Sequence, residues 1–162
     1  MLNPEIKAKV FTPQQAQVKA ESFCAYQERS QQEMRNKLYD WGLHHKDVEA
    51  IISELIENNF LNEERFATAY TLGKFRIKGW GKVKIRQGLK LKQVPDKLIQ
   101  KSLQKIDPDD YMNTLEQVLA KKAASVTERD PFKRRYKLIQ YAAGRGFEKD
   151  LIYDLLKDKQ LG

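Results

Sequence analysis

The 162-residue chain reads as an all-α protein of tandem three-helix repeats, three units forming an elongated, curved array. Three observations predict this. Helix-capping signals and helical apolar spacing recur along the chain without a convincing alternating strand pattern. Gly and Pro are sparse, 8 and 5 residues. A set of apolar anchors also comes round at a period of about fifty residues.

Thr12-Pro13 supplies an N-cap and a first-turn proline, followed by Val18, Ala20, Phe23 and Cys24 on one helical side. Ser30 to Glu33 forms a capping box for a second helix, which closes at Gly42 with Leu43 folding back on the last turn. Met34, Leu38 and Trp41 form its apolar stripe. Asp47 is expected to cap a third helix carrying Val48, Ile51, Ile52, Leu55 and Ile56, which ends at Asn58-Asn59. The stripe Met34, Leu38, Leu43, Val48, Ile52 has a counterpart in Ile85, Leu89, Val94, Leu98, Ser102, and a third copy in Leu138, Ala142, Phe147, Leu151, Leu155. Leading helices are expected at Pro13 to about Glu28, Asn62 to about Arg76 and Pro108 to about Ser125, capped by Thr12, Asn62 and Asp107. The boundaries predicted are a mobile tail over 1–11 and repeats over 12–61, 62–106 and 107–162. Each unit is too small to bury its apolar face alone, so neighbours must stack.

Composition narrows the function classes. Apolar residues make up 41% of the chain and charged ones 32%, too much of each for a disordered polymer or a single thick globule. No apolar run approaches the ~20 residues that span a bilayer, and the start MLNPEIKAKVF lacks a signal-peptide core, so a cytoplasmic protein without membrane contact is expected. The single cysteine, Cys24, agrees with a reducing compartment and reads as a small buried hydrophobe. His44-His45 lacks metal-ligand spacing, and nothing resembles a nucleophile elbow or a spaced carboxylate set. No metal, no cofactor and no catalytic residue are assigned, and an enzyme is not expected.

The charge is concentrated. Lys74 to Lys92, KFRIKGWGKVKIRQGLKLK, holds eight basic residues and no acidic one, while the whole chain has a net charge of +8. That pattern predicts contact with a polyanion or a nucleoprotein surface. On a helix over about 82–92, Lys82, Arg86 and Lys90 form a cationic ridge, and Val83, Ile85 and Leu89 point toward the core. Gly79-Trp80-Gly81-Lys82 lacks the strand and the following Ser/Thr of a phosphate loop, and reads instead as a flexible helix start whose free N–H groups could hold one phosphate or carboxylate. Trp80 is either a staple onto the core or an exposed platform for a base, and Phe75 is similarly open. Their alternation with Lys74, Arg76 and Lys78, together with Lys84 and Lys92, combines charge and aromatic surface. A second cluster joins Lys133, Arg134 and Arg135 with Lys137 and Arg145, set against the dipole of the helix it opens.

Read together, these anchors resemble the RecX regulatory proteins over roughly Ala20 to Leu156. The first unit matches at Ser30, Glu33, Lys37, Leu38 and Gly42. Between units, Leu61-Asn62-Glu63-Glu64-Arg65-Phe66-Ala67 is like the family's LNDERFA. The second unit supplies Arg76, Gly79, Gly81, Lys84, Ile85 and Leu89, and the third Arg145-Gly146-Phe147. Glu63, Met34 and Gln93 depart from the usual aspartate, leucine and glycine, and Gln93 puts the geometry of its turn in question. The resemblance implies a non-catalytic protein that binds RecA and its filament on DNA and restrains strand exchange, ATP hydrolysis and coprotease activity. It further implies crescents of three-helix repeats able to lie in the filament groove, with single- or double-stranded DNA as a further partner, and the protein is expected to act as a monomer. Two rivals stand beside it: a DNA-binding helical module independent of RecA, and a purely structural adaptor.

Overall fold

The structure is a computed structural model and describes residues 10–159. All regular structure among them is helical: α1 (Pro13–Tyr26), α2 (Gln31–Asp40), α3 (His45–Glu57), α4 (Glu63–Lys78), α5 (Lys82–Leu91), α6 (Asp96–Leu103), α7 (Pro108–Ser125), α8 (Pro131–Gly144) and α9 (Lys149–Lys159). The connection from α3 to α4 runs over 58–62 and that from α6 to α7 over 104–107. The expected tail lies outside the described residues except for Val10 and Phe11. Phe11 donates its N–H to the Trp41 carbonyl at 3.0 Å and meets the Trp41 ring edge-on at 5.7 Å. No described helix is long and apolar enough to cross a membrane.

Most caps act as their sequences predict. Thr12 and Gln15 form a reciprocal capping box, and Asn62 and Asp107 accept the N–H groups of Arg65 and Asp110. At Ser30 only half of the box forms: its side chain accepts the Glu33 N–H, but the Glu33 carboxylate pairs with Lys92 at 3.0 Å. Asp47 is not a cap. His44 holds that position without a side-chain bond, and Asp47 lies in the first turn of α3, where its charge favours the positive helix end. In α1 the buried face is Ala16, Ala20 and Cys24, whereas Val18 is 64% exposed, because only the i, i+4, i+8 row faces the core.

The repeat is more regular than the sequence register suggested. In the closing helix of each unit the equivalent buried residues are Val48, Ile99 and Ile152, then Ile52, Leu103 and Leu156. Leu98 and Leu151 are only half-buried, so the expected anchors of α6 and α9 are one position early. A constant offset of 51 and then 53 residues therefore holds through α2–α3, α5–α6 and α8–α9. The same offset of 51 relates Ala16, Ala20 and Cys24 of α1 to Ala67, Thr71 and Phe75 of α4. In α7 the corresponding i, i+4, i+8 row is Tyr111, Leu115 and Leu119. Each fully buried aliphatic side chain contributes on the order of 1.5–3 kcal/mol.

The turn between the second and third helices of each unit requires a left-handed residue. Gly42 has φ +83° and Gly146 +98°, and Gln93 adopts φ +59° at the equivalent place. The missing glycine has therefore not changed the turn; it adds strain to it.

Candidate functional site

The second repeat presents its basic residues from the last turns of α4 and from α5, which the 79–81 connection joins. Trp80 N–H bonds the Lys74 carbonyl at 3.1 Å, and Gly79 N–H bonds the Phe75 carbonyl at 3.0 Å, so the chain reverses tightly at a φ of +66° on Gly79. This brings Trp80 between two ammonium groups: Lys74 Nζ lies 4.7 Å and Lys84 Nζ 4.5 Å from the ring centroid. Trp80 is half-buried, neither a sealed staple nor a bare platform.

The start of α5 differs from expectation. Its first N–H groups are not free for an anion: Gly81 donates to the Arg145 carbonyl at 2.9 Å, Lys82 to the Tyr111 hydroxyl at 3.0 Å and Val83 to the Gly146 carbonyl at 2.9 Å. The sequence misleads here because these acceptors come from α7 and from the turn after α8. A Cβ on Gly81 would overlap the backbone of Gly146 and Phe147, and one on Gly146 would overlap Lys84, so both glycines serve this backbone-to-backbone seam. Tyr111, which sequence reading missed, is its hub. Its ring is 3% exposed and packs against Phe75 and Phe147 at 5.8 and 5.3 Å, and Lys82 Nζ stands 4.9 Å from it. The Tyr111 hydroxyl donates a short hydrogen bond to Glu148, and burial followed by that bond pushes its pKa far above the usual phenol range. The only sequence hint was an aromatic residue on the core row of α7.

On the outer face of α5 the ridge is part compensated. Arg86 reaches the Gln100 side chain at 3.1 Å, and Lys90 lies 3.9 Å from Asp96 in a pair exposed on both sides, which screening leaves weak. Ile85 and Leu89 are buried, but Val83 is 41% exposed and lies among the basic residues. Lys92 stands apart, engaged with Glu33.

The cluster on α8 is divided in role. Asp130, unremarked in the sequence, caps the helix through the Lys133 N–H and offsets the basic first turns. Arg134 is turned inward and donates to the carbonyls of Val126 and Ala123 at the end of α7, which makes it a C-terminal cap. Lys133 is exposed and Arg135 half-buried, while Phe132 and Tyr136 beside them are 81% and 60% exposed, not core. Lys137 pairs with Glu128 at 3.5 Å. Arg145 donates to the Lys78 carbonyl and, with Arg76 and Lys78, lines a cleft beside α7.

No group of three or more His, Cys, Asp or Glu among the described residues could hold a metal ion. Cys24 is buried with its Sγ 3.8 Å from Met34 Sδ, and burial raises its thiol to about 11, so it is no ready nucleophile.

Fold and site together define a tandem three-helix repeat protein with a basic face on α4 and α5. Residues 16–55, 62–103 and 109–156 match, in order, the first, second and third three-helix domains of RecX. The chain is 32% identical over 147 residues to the "Regulatory protein RecX" of Clostridium acetobutylicum, covering 88% of this chain and 68% of that protein. It is 29% identical to the "Regulatory protein RecX" of Haemophilus influenzae over 86% of this chain and 91% of that one. The crystal structure of RecX from Lactobacillus salivarius superposes with a TM-score of 0.83 at 20% identity, over 93% of this chain and 97% of that one, and so shares the fold. The chain belongs to the RecX family of regulatory proteins.

Proposed function

We propose that this protein binds the RecA recombinase and its nucleoprotein filament, acts in the cytoplasm without catalysis of its own, and inhibits recombinase, ATPase and coprotease activities. Family membership supports a regulatory role. The observation that carries the contact surface is the seam that pins the start of α5 through Gly81, Lys82 and Val83. It fixes the start of α5, and with it the backbone that carries Lys82, Lys84, Arg86 and Lys90 beside Arg76 of α4, so that backbone needs no ordering when these charges meet a polyanionic filament. Binding there would occupy the route of a second DNA strand and hinder the protomer rearrangements that accompany ATP turnover.

The test is RecA ATPase on single-stranded DNA, titrated with wild-type protein and with a Lys82→Glu/Arg86→Glu/Lys90→Glu variant whose fold is checked by circular dichroism. Inhibition by the wild type and its loss in the variant are expected. Inhibition by neither would sink the reading. The packing of Trp80 between Lys74 and Lys84 favours one rival, direct DNA binding independent of RecA. Neutralising about six phosphates would give a log–log salt slope near −5 on duplex. A shallow slope with intact RecA inhibition removes that rival.

A further inference from the structure

A cleft of about 690 Å3 opens between the last turn of α4, the outer face of α7 and the end of α8. Its size falls within the roughly 300–1,000 Å3 of built ligand sites. Four cations line it: Arg76, Lys78, Lys121 and Arg145. The first three make no ion pair among the described residues. Arg145 holds the Lys78 carbonyl through Nη2, yet its Nε is buried with no hydrogen-bond partner among the described residues. The guanidinium can therefore turn toward an entering carboxylate without losing a bond at Nε.

The α7 wall decides between ligand classes. Asp110, Asn113, Gln117 and Lys121 face the cleft at helical spacing. Asn113 and Gln117 each offer an amide that both donates and accepts, and Asp110 accepts only. A phosphodiester backbone is charged at every unit and carries acceptors alone, so it would meet Asp110 with repulsion and offer the amide carbonyls nothing, whereas a peptide can set its neutral backbone there and its carboxylates elsewhere. An extended peptide presents alternating N–H and C=O groups that satisfy all three. Ile77, 82% exposed, and Val118 add apolar surface among the cations.

We infer that the α4–α7–α8 cleft is a docking site for an extended acidic peptide segment of a partner protein, with carboxylates on Arg76, Lys121 and Arg145 and an apolar side chain on Ile77 and Val118. The inference goes beyond filament binding, and its probe contains neither recombinase nor DNA, so its failure is separate from failure of that reading.

The experiment is fluorescence anisotropy of the full chain with a fluorescein-labelled peptide, Gly-Glu-Leu-Glu-Gly-Glu, and in parallel with a labelled oligothymidylate. Wild type should bind the peptide saturably. Asn113→Ala/Gln117→Ala, at exposed positions that fold does not need, should weaken it about tenfold while leaving oligothymidylate binding unchanged. Lys121→Glu should weaken the peptide more strongly, and Lys82→Glu, outside the cleft lining, should leave it intact. The inference is overturned by absence of saturable peptide binding, by an unaffected Asn113→Ala/Gln117→Ala variant, or by Lys82→Glu weakening the peptide as much as Lys121→Glu, which would mean charge attraction without a site.

Discussion

Gly81→Ala is the sharpest perturbation of the frame that holds the basic face. The added Cβ would overlap the Gly146 carbonyl and the Phe147 nitrogen, all of it backbone that no rotamer change can clear. Relief requires the start of α5 to move away from the turn after α8. That motion breaks the bonds from Gly81 and Val83 N–H to the carbonyls of Arg145 and Gly146, each 2.9 Å. Gly81 is buried, so its donor would be left dry. Two bonds at about 1–2 kcal/mol each, less about 0.4–1 kcal/mol from the stiffer unfolded chain, leave a net loss of roughly 1–3.5 kcal/mol. At about 2–4 °C per kcal/mol, Tm should fall by roughly 2–14 °C. Circular dichroism gives the global melt, and Trp80 emission in a Trp41→Phe background reports the second repeat, since the chain has 2 tryptophans. Gly73→Ala is the matched control: it sits inside α4 with nothing within 4 Å of its added Cβ, so it should gain up to about 1 kcal/mol. A Gly81→Ala protein within about 0.5 kcal/mol of wild type, below the cost of even one lost bond, would refute the seam.

Three further outcomes follow from single residues. Glu63 is half-buried against the Gln31 N–H, and burial lifts its carboxyl above the usual 4.5 despite that bond. Its folded form thus holds a proton more tightly than its unfolded form. The stability this contributes is complete below 4.5 and is lost as pH rises through the raised value. Urea unfolding should show Glu63→Gln gaining on wild type across that interval, and a constant difference between the two refutes it. Gln93→Gly should stabilise by about 0.5–1 kcal/mol, because relief of the left-handed strain outweighs the added unfolded-state entropy, and a lowered Tm would contradict this. Cys24, buried and with its thiol raised to about 11, should react with iodoacetamide at neutral pH far more slowly than in urea, and equal rates would show that the first repeat does not seal it.

What the sequence made legible was what local chemistry determines. Thr12, Asn62 and Asp107 cap where they are because each bonds a backbone N–H three residues on. The repeat was legible because apolar spacing is set by the helix period. Its register slipped by one in α6 and α9 because Leu98 and Leu151 are as apolar as their buried neighbours Ile99 and Ile152, and periodicity alone cannot separate adjacent candidates. The site was legible as charge and not as geometry. Arg134 and Lys92 read like the other cations, yet one caps α7 and the other pairs with Glu33, assignments made by partners 8 or more residues away in sequence. The N–H groups of α5 looked free because their acceptors lie far along the chain. The α7 wall of the cleft was missed because its stripe has little net charge, and a search led by basic runs passes over amides.

The three left-handed turns explain which glycines the repeat can exchange. Trp41 and Arg145 occupy equivalent positions just before Gly42 and Gly146, and each offers its carbonyl to an N–H from elsewhere, Phe11 in one case and Gly81 in the other. At both turns another segment lies against the glycine: Val10 beside Gly42, and Gly81 and Lys84 beside Gly146. Glycine there meets two demands, positive φ and close approach. Gln93 has positive φ but is exposed, so only the first demand applies and a side chain costs strain without collision. The same turn therefore tolerates a side chain in the second repeat and is a fixed anchor in the third, where it seats the start of α5. Substitutions at 93 should change stability alone, whereas those at 146 should also displace Lys82 and Lys84 and so reach the basic face.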